Sequence, residues 1–324
     1  MLRRHLAGLA LATLALPASA QGDKIARLVI GFPAGQATDV IARLLADGLK
    51  GELGETVIVD NKPGQGGSIA LGQVARAAPD GTTMILAPLA SLVINPHLYK
   101  NVAYNTFTSF APVARVCDLP LVLVVHPSLP VKTLPELIAY AKANPDKLSH
   151  PSAGNGTLSH VVMEDFKARA GIRILHVPYQ GSPPAMNDLV AGNVQVAMDT
   201  VTVTKPLIDS GKLRLIAAGT LQRLPAFPDT PTIAEQGFPG LEAVAWLGVL
   251  FPAQTADDRV KRLSDAVVKV VNDPAMQERF KAVGTLPRTM PTAEFAAYLK
   301  SEDSRTSTRL NSSHTDISRM PSSA

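Results

Sequence analysis

Short aliphatic and β-branched runs alternate with amphipathic stretches along most of this chain. Residues 27–32, 57–60 and 83–87 read as buried strands. Residues 38–50 place Val40, Ile41, Leu44, Leu45 and Leu49 on one side of a helix, with Thr38 as the expected N-cap and Asp39 as a favourable first-turn charge. Residues 68–77 form the next expected helix. This β-α-β-α-β order implies a parallel sheet covered by helices.

Residues 95–110, rich in Asn, Pro and aromatic residues, read as an irregular connection, followed by two adjacent strands at 113–117 and 121–126. A second α/β set follows, with helices expected at 134–143, 157–170, 183–191 and 203–210 and strands at 148–151, 174–177, 194–199 and 213–218. A Pro-rich loop at 224–231 leads to an apolar run at 243–251 and to helices at 257–272, 274–283 and 292–300. Two α/β lobes joined by two crossing segments, near 121–126 and 243–251, account for this order. One lobe takes residues 21–122 with 245–303, and the other takes 123–244.

A Gly-rich junction appears three times where an apolar run meets a helical stretch. The first spans Gly31-Phe32-Pro33-Ala34-Gly35-Gln36-Ala37-Thr38-Asp39, the second Asn61-Lys62-Pro63-Gly64-Gln65-Gly66-Gly67-Ser68, and the third Ser152-Ala153-Gly154-Asn155-Gly156-Thr157. A helix start carries free backbone N–H groups and the positive end of the peptide dipoles, and glycine lets a ligand approach them. Ligands of open α/β sheets lie beyond the carboxyl ends of the strands. All three junctions occupy such ends, so a cleft between the lobes that holds a small anion is the expected site.

The chain's ends and its totals change this picture little. Arg3 and Arg4, the apolar stretch 6–16 and Ala18-Ser19-Ala20 read as a secretory signal peptide cleaved after Ala20, so the periplasm is the expected location. Residues 304–324 hold seven Ser and three Thr and show no period. This tail resembles translated sequencing-adapter sequence and is expected to be disordered and non-native. The 31 basic and 27 acidic residues become equal in number once Arg3, Arg4, Arg305, Arg309, Arg319 and Asp316 are set aside, so no nucleic-acid partner is expected. The single Cys117, in an apolar run, excludes an internal disulfide and reads as a buried small residue. The histidines show neither H-E-x-x-H nor Cys/His spacing, so neither a metal nor a cofactor is expected.

Several segments together carry a family resemblance: Phe32-Pro33-Ala34-Gly35 with Thr38-Asp39 and Ala42-Arg43; Asn61-Lys62-Pro63-Gly64 with Gly66-Gly67; Ile94-Asn95-Pro96-His97-Leu98-Tyr99; Ser152-Ala153-Gly154-Asn155-Gly156-Thr157 with Ser159-His160; His176-Val177-Pro178-Tyr179 with Gly181; Phe227-Pro228-Asp229 with Pro231-Thr232, Glu235 and Gly237; and Trp246 with Gly248. They are collinear, cover nearly the whole body, and resemble the Bug family, the periplasmic receptors of tripartite tricarboxylate transporters. The resemblance implies a type II periplasmic-binding-protein fold whose two α/β lobes close on a small organic acid: an amino acid, a di- or tricarboxylate, or an aromatic acid. It implies a non-enzymatic monomer that delivers its ligand to membrane transporter subunits or signals to a sensor kinase. Gln36 stands where the family usually has a second glycine, which adds a side-chain donor and acceptor to the first loop.

The expected ligand contacts are Phe32, Gly35, Gln36, Ala37, Thr38 and Asp39 from the first junction and Ser91 after the third strand. The second lobe contributes Gly154, Asn155, Gly156, Thr157, His160, Tyr179, Gly181 and Asp199. Several have a structural reading beside the functional one. Asp39 would repel an anion and suits an anchor; His160 also suits a packing role; Asp199 can pair with a hinge group; Trp246 reads as hinge or core packing. Gly66-x-Ser68-x-Ala70 approaches a hydrolase nucleophile elbow but ends in Ala, so a serine hydrolase is the weaker alternative.

Overall fold

The computed structural model describes residues 25–312; the expected signal peptide and residues 313–324 lie outside this range. The first lobe opens with β1 (Ile25–Ile30), α1 (Ala37–Leu53), β2 (Thr56–Asn61), α2 (Ser68–Val74) and β3 (Thr83–Pro88). β1 pairs parallel with both β2 and β3. Buried Ile41, Leu45, Leu49 and Leu53, four residues apart, hold α1 on this sheet, and Gly54 ends the helix in the left-handed conformation. Gln36, not Thr38, is the N-cap of α1. Gln36 has extended backbone angles and its carbonyl accepts the first helical bond, from Val40 N at 3.0 Å, so Thr38 falls inside the first turn.

A wide π turn over Ala90–Ile94 leads into the short α3 (Asn95–Leu98), which begins the stretch expected to be irregular. The two strands expected next are one, β4 (Phe110–Val125). Asp118-Leu119-Pro120 reads as a break, but the ladder runs through it: Pro120 pairs with Val244, and Leu121 N bonds Ala243 O at 2.9 Å. Proline is tolerated here because this is where β4 exchanges partners. Its first part runs antiparallel to β9 (Val244–Pro252) and β10 (Leu286–Met290), and its last part to β7 (Val196–Thr200) and β8 (Arg214–Ala218).

The second lobe adds α4 (Leu134–Ala143), β5 (Ser149–Ser152), α5 (Leu158–Ala170), β6 (Leu175–Pro178), α6 (Ser182–Val190) and α7 (Val201–Asp209). β5 and β6 pair parallel. The chain then returns through β9 to α8 (Asp257–Asn272), α9 (Pro274–Ala282), β10 and α10 (Thr292–Ser312). β10 escaped sequence reading because Leu286-Pro287-Arg288-Thr289-Met290 is polar, half-exposed and contains a proline. The helix α10 continues through residues 304–312, which corrects the expectation of disorder from Ser304 onward. Phe295 and Leu299 anchor it in the core, and extending an existing helix costs little. Arg305 pairs with Glu302 at 2.8 Å, and the Ser307 and Thr308 hydroxyls donate to Ser304 O.

The crossing is a tight bundle of three segments. Gly219 N donates to Leu121 O (2.9 Å) and Ala243 N donates to Gly219 O (2.6 Å), beside the Leu121–Ala243 bond. Trp246 packs edge-on against Phe295 and Tyr298 and donates to Glu302 Oε2 at 3.2 Å, so α10 is pinned to the hinge. A β-carbon at Gly219 would lie 2.8 Å from Leu121 O and 2.7 Å from Ala243 Cβ. Gly219→Ala should therefore lower the unfolding free energy by about 1–3 kcal/mol, read as a shifted urea midpoint. An unchanged midpoint would show that the hinge relaxes freely.

Candidate functional site

The first Gly-rich loop is built around one carboxylate. Asp39 Oδ2 accepts from Gly35 N (3.0 Å) and Arg43 Nε (3.0 Å), while Oδ1 accepts from Arg43 Nη2 (2.8 Å) and Asn61 Nδ2 (3.0 Å). Burial pushes this carboxyl's pKa up, but the hydrogen bonds from Arg43, Gly35 and Asn61 outweigh it and hold the group below the ordinary carboxylate range. Both oxygens are thus occupied. The Asp39 side chain holds the loop together, which fits the anchoring alternative raised by its charge. Asn61 Nδ2 also donates to Phe32 O at 3.0 Å and so ties the ends of β1 and β2 together.

With the loop held this way, the first turn of α1 is left open. Ala37, Thr38 and Asp39 are 2–3 % exposed, yet among the described residues none of their backbone N–H groups has an acceptor, and no hydrogen bond engages the Thr38 hydroxyl. Buried, unpaired main-chain donors are costly, and three in a row at a helix start form an anion site. Gly35 takes φ +82°, a left-handed conformation that favours glycine, in the turn that leads into these amides.

The other junctions close around this one. A β-carbon at Gly31 would lie 2.5 Å from Gly67 Cα, so the first two loops touch backbone to backbone, with Phe32 against Gly67. The Ser91 hydroxyl donates to Gly66 O at 2.7 Å and braces the second loop, as does Asn95 Nδ2 at 3.1 Å. Gly66 in turn abuts Asn155 O in the third loop, and Asn95 Oδ1, buried with no partner, faces Gly156. Tyr99 donates its hydroxyl to Asn155 O at 2.7 Å. The three junctions therefore meet, as expected from their positions at strand ends.

At the other lobe edge, Gln36 Oε1 accepts from Ser182 N at 3.1 Å, and Pro33 packs against Gly181. The Ser182 hydroxyl donates to Asp199 Oδ2 at 2.8 Å; Asp199 Oδ1 accepts from Thr200 N. Asp199 is buried beneath the start of α6, and burial pushes its pKa up to about 6. The Tyr179 hydroxyl donates to Asp188 of α6 at 2.5 Å. Asn61, Asn95, Tyr99 and Ser182 escaped the list of expected contacts. Three of them lie within the family segments quoted above, and Ser182 is flagged by the Pro183-Pro184 pair that opens its helix.

In the third loop, Thr157 Oγ1 donates to Gly154 O at 2.6 Å, and Gly156 N donates to His160 Nδ1 at 3.2 Å. His160 thus supports the loop from below, which fits its packing alternative. It stacks on His176 at 4.1 Å, and His176 stacks on His150 at 4.9 Å. His160, Glu164 and His176 bring ligand-type atoms within 4.8 Å of one another, a cluster that no sequence spacing revealed. Its geometry opposes a metal. The His160 and His176 rings are only 18° from parallel, so their in-plane lone pairs cannot converge, and the Lys167 ammonium already holds Glu164 Oε1 at 2.7 Å.

Two further expectations concern reactivity. Cys117 is fully buried and burial pushes its thiol pKa up, away from thiolate chemistry. Ser68 Oγ accepts from Asn95 Nδ2 (3.1 Å) and meets the Tyr104 hydroxyl (3.5 Å). Among the described residues no histidine bonds it, so it lacks a general base.

Two α/β lobes, a twice-crossed hinge and helix starts gathered between them define a two-lobed solute-binding protein of the periplasmic type. Residues 41–312 match the tripartite tricarboxylate transporter family receptor, TctC, and the chain belongs to that family, one of solute receptors and not of enzymes. It is 38% identical over 309 residues to the UPF0065 protein from the tcbD-tcbE intergenic region of a Pseudomonas species, covering 94% of this chain and 92% of the relative. Among solved structures, it is similar to the periplasmic binding protein BugD (TM-score 0.85, 36% identity, 89% of this chain and 97% of that one). A similar match is an R. palustris protein solved with adipate (TM-score 0.85, 30% identity, 90% and 97%).

The histidine column yields a pH prediction. Burial holds the pKa of His160 down to about 4 and that of His176 to about 3, the latter with help from its neighbours. The unfolded chain takes up these protons near pH 6.5, so the stability present above that pH is lost as pH falls toward 4. The loss should be on the order of 1 kcal/mol or more per ring by pH 4. Urea melts of His176→Gln should show a flatter decline over this range than the parent; parallel profiles would refute the assignment.

Proposed function

We propose that this receptor binds a small organic carboxylate, with one carboxylate group on the free amides of Ala37, Thr38 and Asp39, and delivers it to the membrane subunits of a tripartite tricarboxylate-type transporter. The observation that carries the reading is that row of buried, unpaired donors, supported by the adipate found with an R. palustris relative. A favourable helix end contributes about 0.3–1 kcal/mol when exposed and up to about 2 when partly buried. Direct hydrogen bonds to a charged group add about 1.5–3 kcal/mol each. Together these reach micromolar affinity, about −8 kcal/mol.

Lobe one takes residues 21–122 with 245–303 and lobe two takes 123–244, the division falling where β4 changes partners. The second lobe's share of the grip comes from the Gly154–Thr157 loop, where Asn155 keeps its side chain free of hydrogen bonds among the described residues. The likeness to periplasmic binding proteins supports export, with cleavage after Ala20. Among the described residues no helix is long and apolar enough to cross a membrane.

Native mass spectrometry of freshly purified protein, followed by calorimetry against a panel of amino acids, di- and tricarboxylates and aromatic acids, tests this reading. At least one acid should bind in the micromolar range; a panel of non-binders with no co-purified acid would contradict it. Gly35→Val should weaken the best acid by about tenfold or more, since a branched residue resists φ +82° and fills the approach to the amides. The fold should survive, because the new β-carbon's nearest neighbour would be Pro183 Cγ at 3.8 Å. Unchanged affinity would move the site elsewhere.

A further inference from the structure

We infer that His160 is a positioning residue that works as a proton-operated latch: neutral, it holds the third glycine loop against the first lobe, and on taking up a proton it releases the loop and lets the lobes part. The inference rests on the reading of the molecule as a receptor that closes on an acid, and adds a control on that closure. The histidine column supports the loop at two amides. His160 Nδ1 accepts from Gly156 N at 3.2 Å. Its stacked neighbour His176 meets the Ser152 hydroxyl through Nε2 at 2.7 Å, and that hydroxyl oxygen accepts from Gly154 N at 3.3 Å.

The same loop carries a contact between the lobes. Asn155 O accepts from the Tyr99 hydroxyl at 2.7 Å, and a β-carbon at Gly66 would lie 3.1 Å from it. At Gly156 a β-carbon would lie 2.5 Å from Asn95 Oδ1 and 2.9 Å from Leu98 Cδ2, so the loop has little room to shift while the lobes touch. A protonated imidazole has two donors and no acceptor. The N–H of Gly156 would then face another N–H. A buried donor without a partner is costly, so the loop must turn to find water or a carbonyl, and the first lobe stands in its way.

The groups that face the two rings set when this happens. Glu164 and Lys167 come from α5, and His150 from β5. Burial lowers the pKa of His160 to about 4, with His150 and Lys167 acting in the same direction and Glu164 against them. Burial would raise Glu164, but the hydrogen bonds from His150 and Lys167 hold it down to about 2, so it stays ionised through this range and the ammonium of Lys167 stays paired with it. A second proton on His176 would put like charges in rings stacked at 4.1 Å, so the column takes one proton first. The neutral ring belongs to the held loop. The latch is therefore shut near neutral pH and opens as the pH falls through about 4.

The test is a pH titration of the full protein, without added acid ligand, from about pH 8 to about pH 3.5 by nuclear magnetic resonance. It follows the His160 ring, the Gly156 amide, and Gly66 and Tyr99 in the first lobe, with β3 and β9 as the control for an intact fold. All four signals should move with one midpoint while the control stays in place, and the exchange protection of the Gly156 amide should fall about five- to tenfold, the net worth of one hydrogen bond. His160→Asn places a carboxamide oxygen as many bonds from Cβ as Nδ1 and does not titrate. In this variant the steps at Gly156, Gly66 and Tyr99 should vanish. Gly66 and Tyr99 unmoved as the ring titrates, steps that persist in His160→Asn, or signals that hold until β3 and β9 unfold would each overturn the inference. The parent titration can do so without the variant. With no acid present, these outcomes bear on the latch and leave the acid-site reading to its own test.

Discussion

The structure depends on one buried carboxylate. Asp39 gathers Gly35 N, the Arg43 guanidinium and Asn61 Nδ2 around itself, and Asn61 passes the constraint on to Phe32 O. That hub fixes the loop between β1 and α1 in a shape that leaves three amides at the helix start unpaired. Asp39 is the residue that anion repulsion marks as a poor contact, and its charge is neutralised within the loop before a ligand arrives. A negative group can therefore sit close to a structural carboxylate, because Arg43 and two further hydrogen bonds, from Gly35 N and Asn61 Nδ2, have already screened it.

The second constraint is how the lobes meet. They touch at two edges, Gln36 and Pro33 against Ser182 and Gly181 on one, Tyr99, Asn95 and Gly66 against Asn155 and Gly156 on the other. Contacts of this kind favour a closed arrangement without a ligand, so a ligand needs to supply only part of the free energy that brings the lobes together. The hinge complements this. Leu121, Gly219 and Ala243 form one three-way bundle, and α10 is pinned to it through Trp246 and Glu302, so opening must bend a few defined residues and not the sheets.

Much of this was legible in the residues. The alternation of apolar runs and amphipathic stretches located the strand–helix order, and the three glycine clusters at strand ends marked where the lobes would meet. The misreadings have physical causes. Thr38 looked like a cap because hydroxyls cap helices, but Gln36 caps with its carbonyl alone. Pro120 looked like a break because proline usually ends a ladder, whereas here it sits where the strand changes partners. β10 is half-exposed and polar, and a segment that buries little carries little pattern. Residues 304–312 lack a period because their helix is carried by Phe295 and Leu299 upstream and not by a buried stripe of its own. The histidine column and the Gln36–Ser182 bridge join residues 16 to 146 positions apart, and no local spacing announces such pairs.

The most direct measurement follows the backbone amides of Ala37, Thr38 and Asp39 by nuclear magnetic resonance while the tightest-binding acid is titrated in. The account predicts that these three resonances move together, shift downfield as they gain a charged acceptor, and become protected from exchange at saturation. Saturation with those resonances unmoved would contradict it.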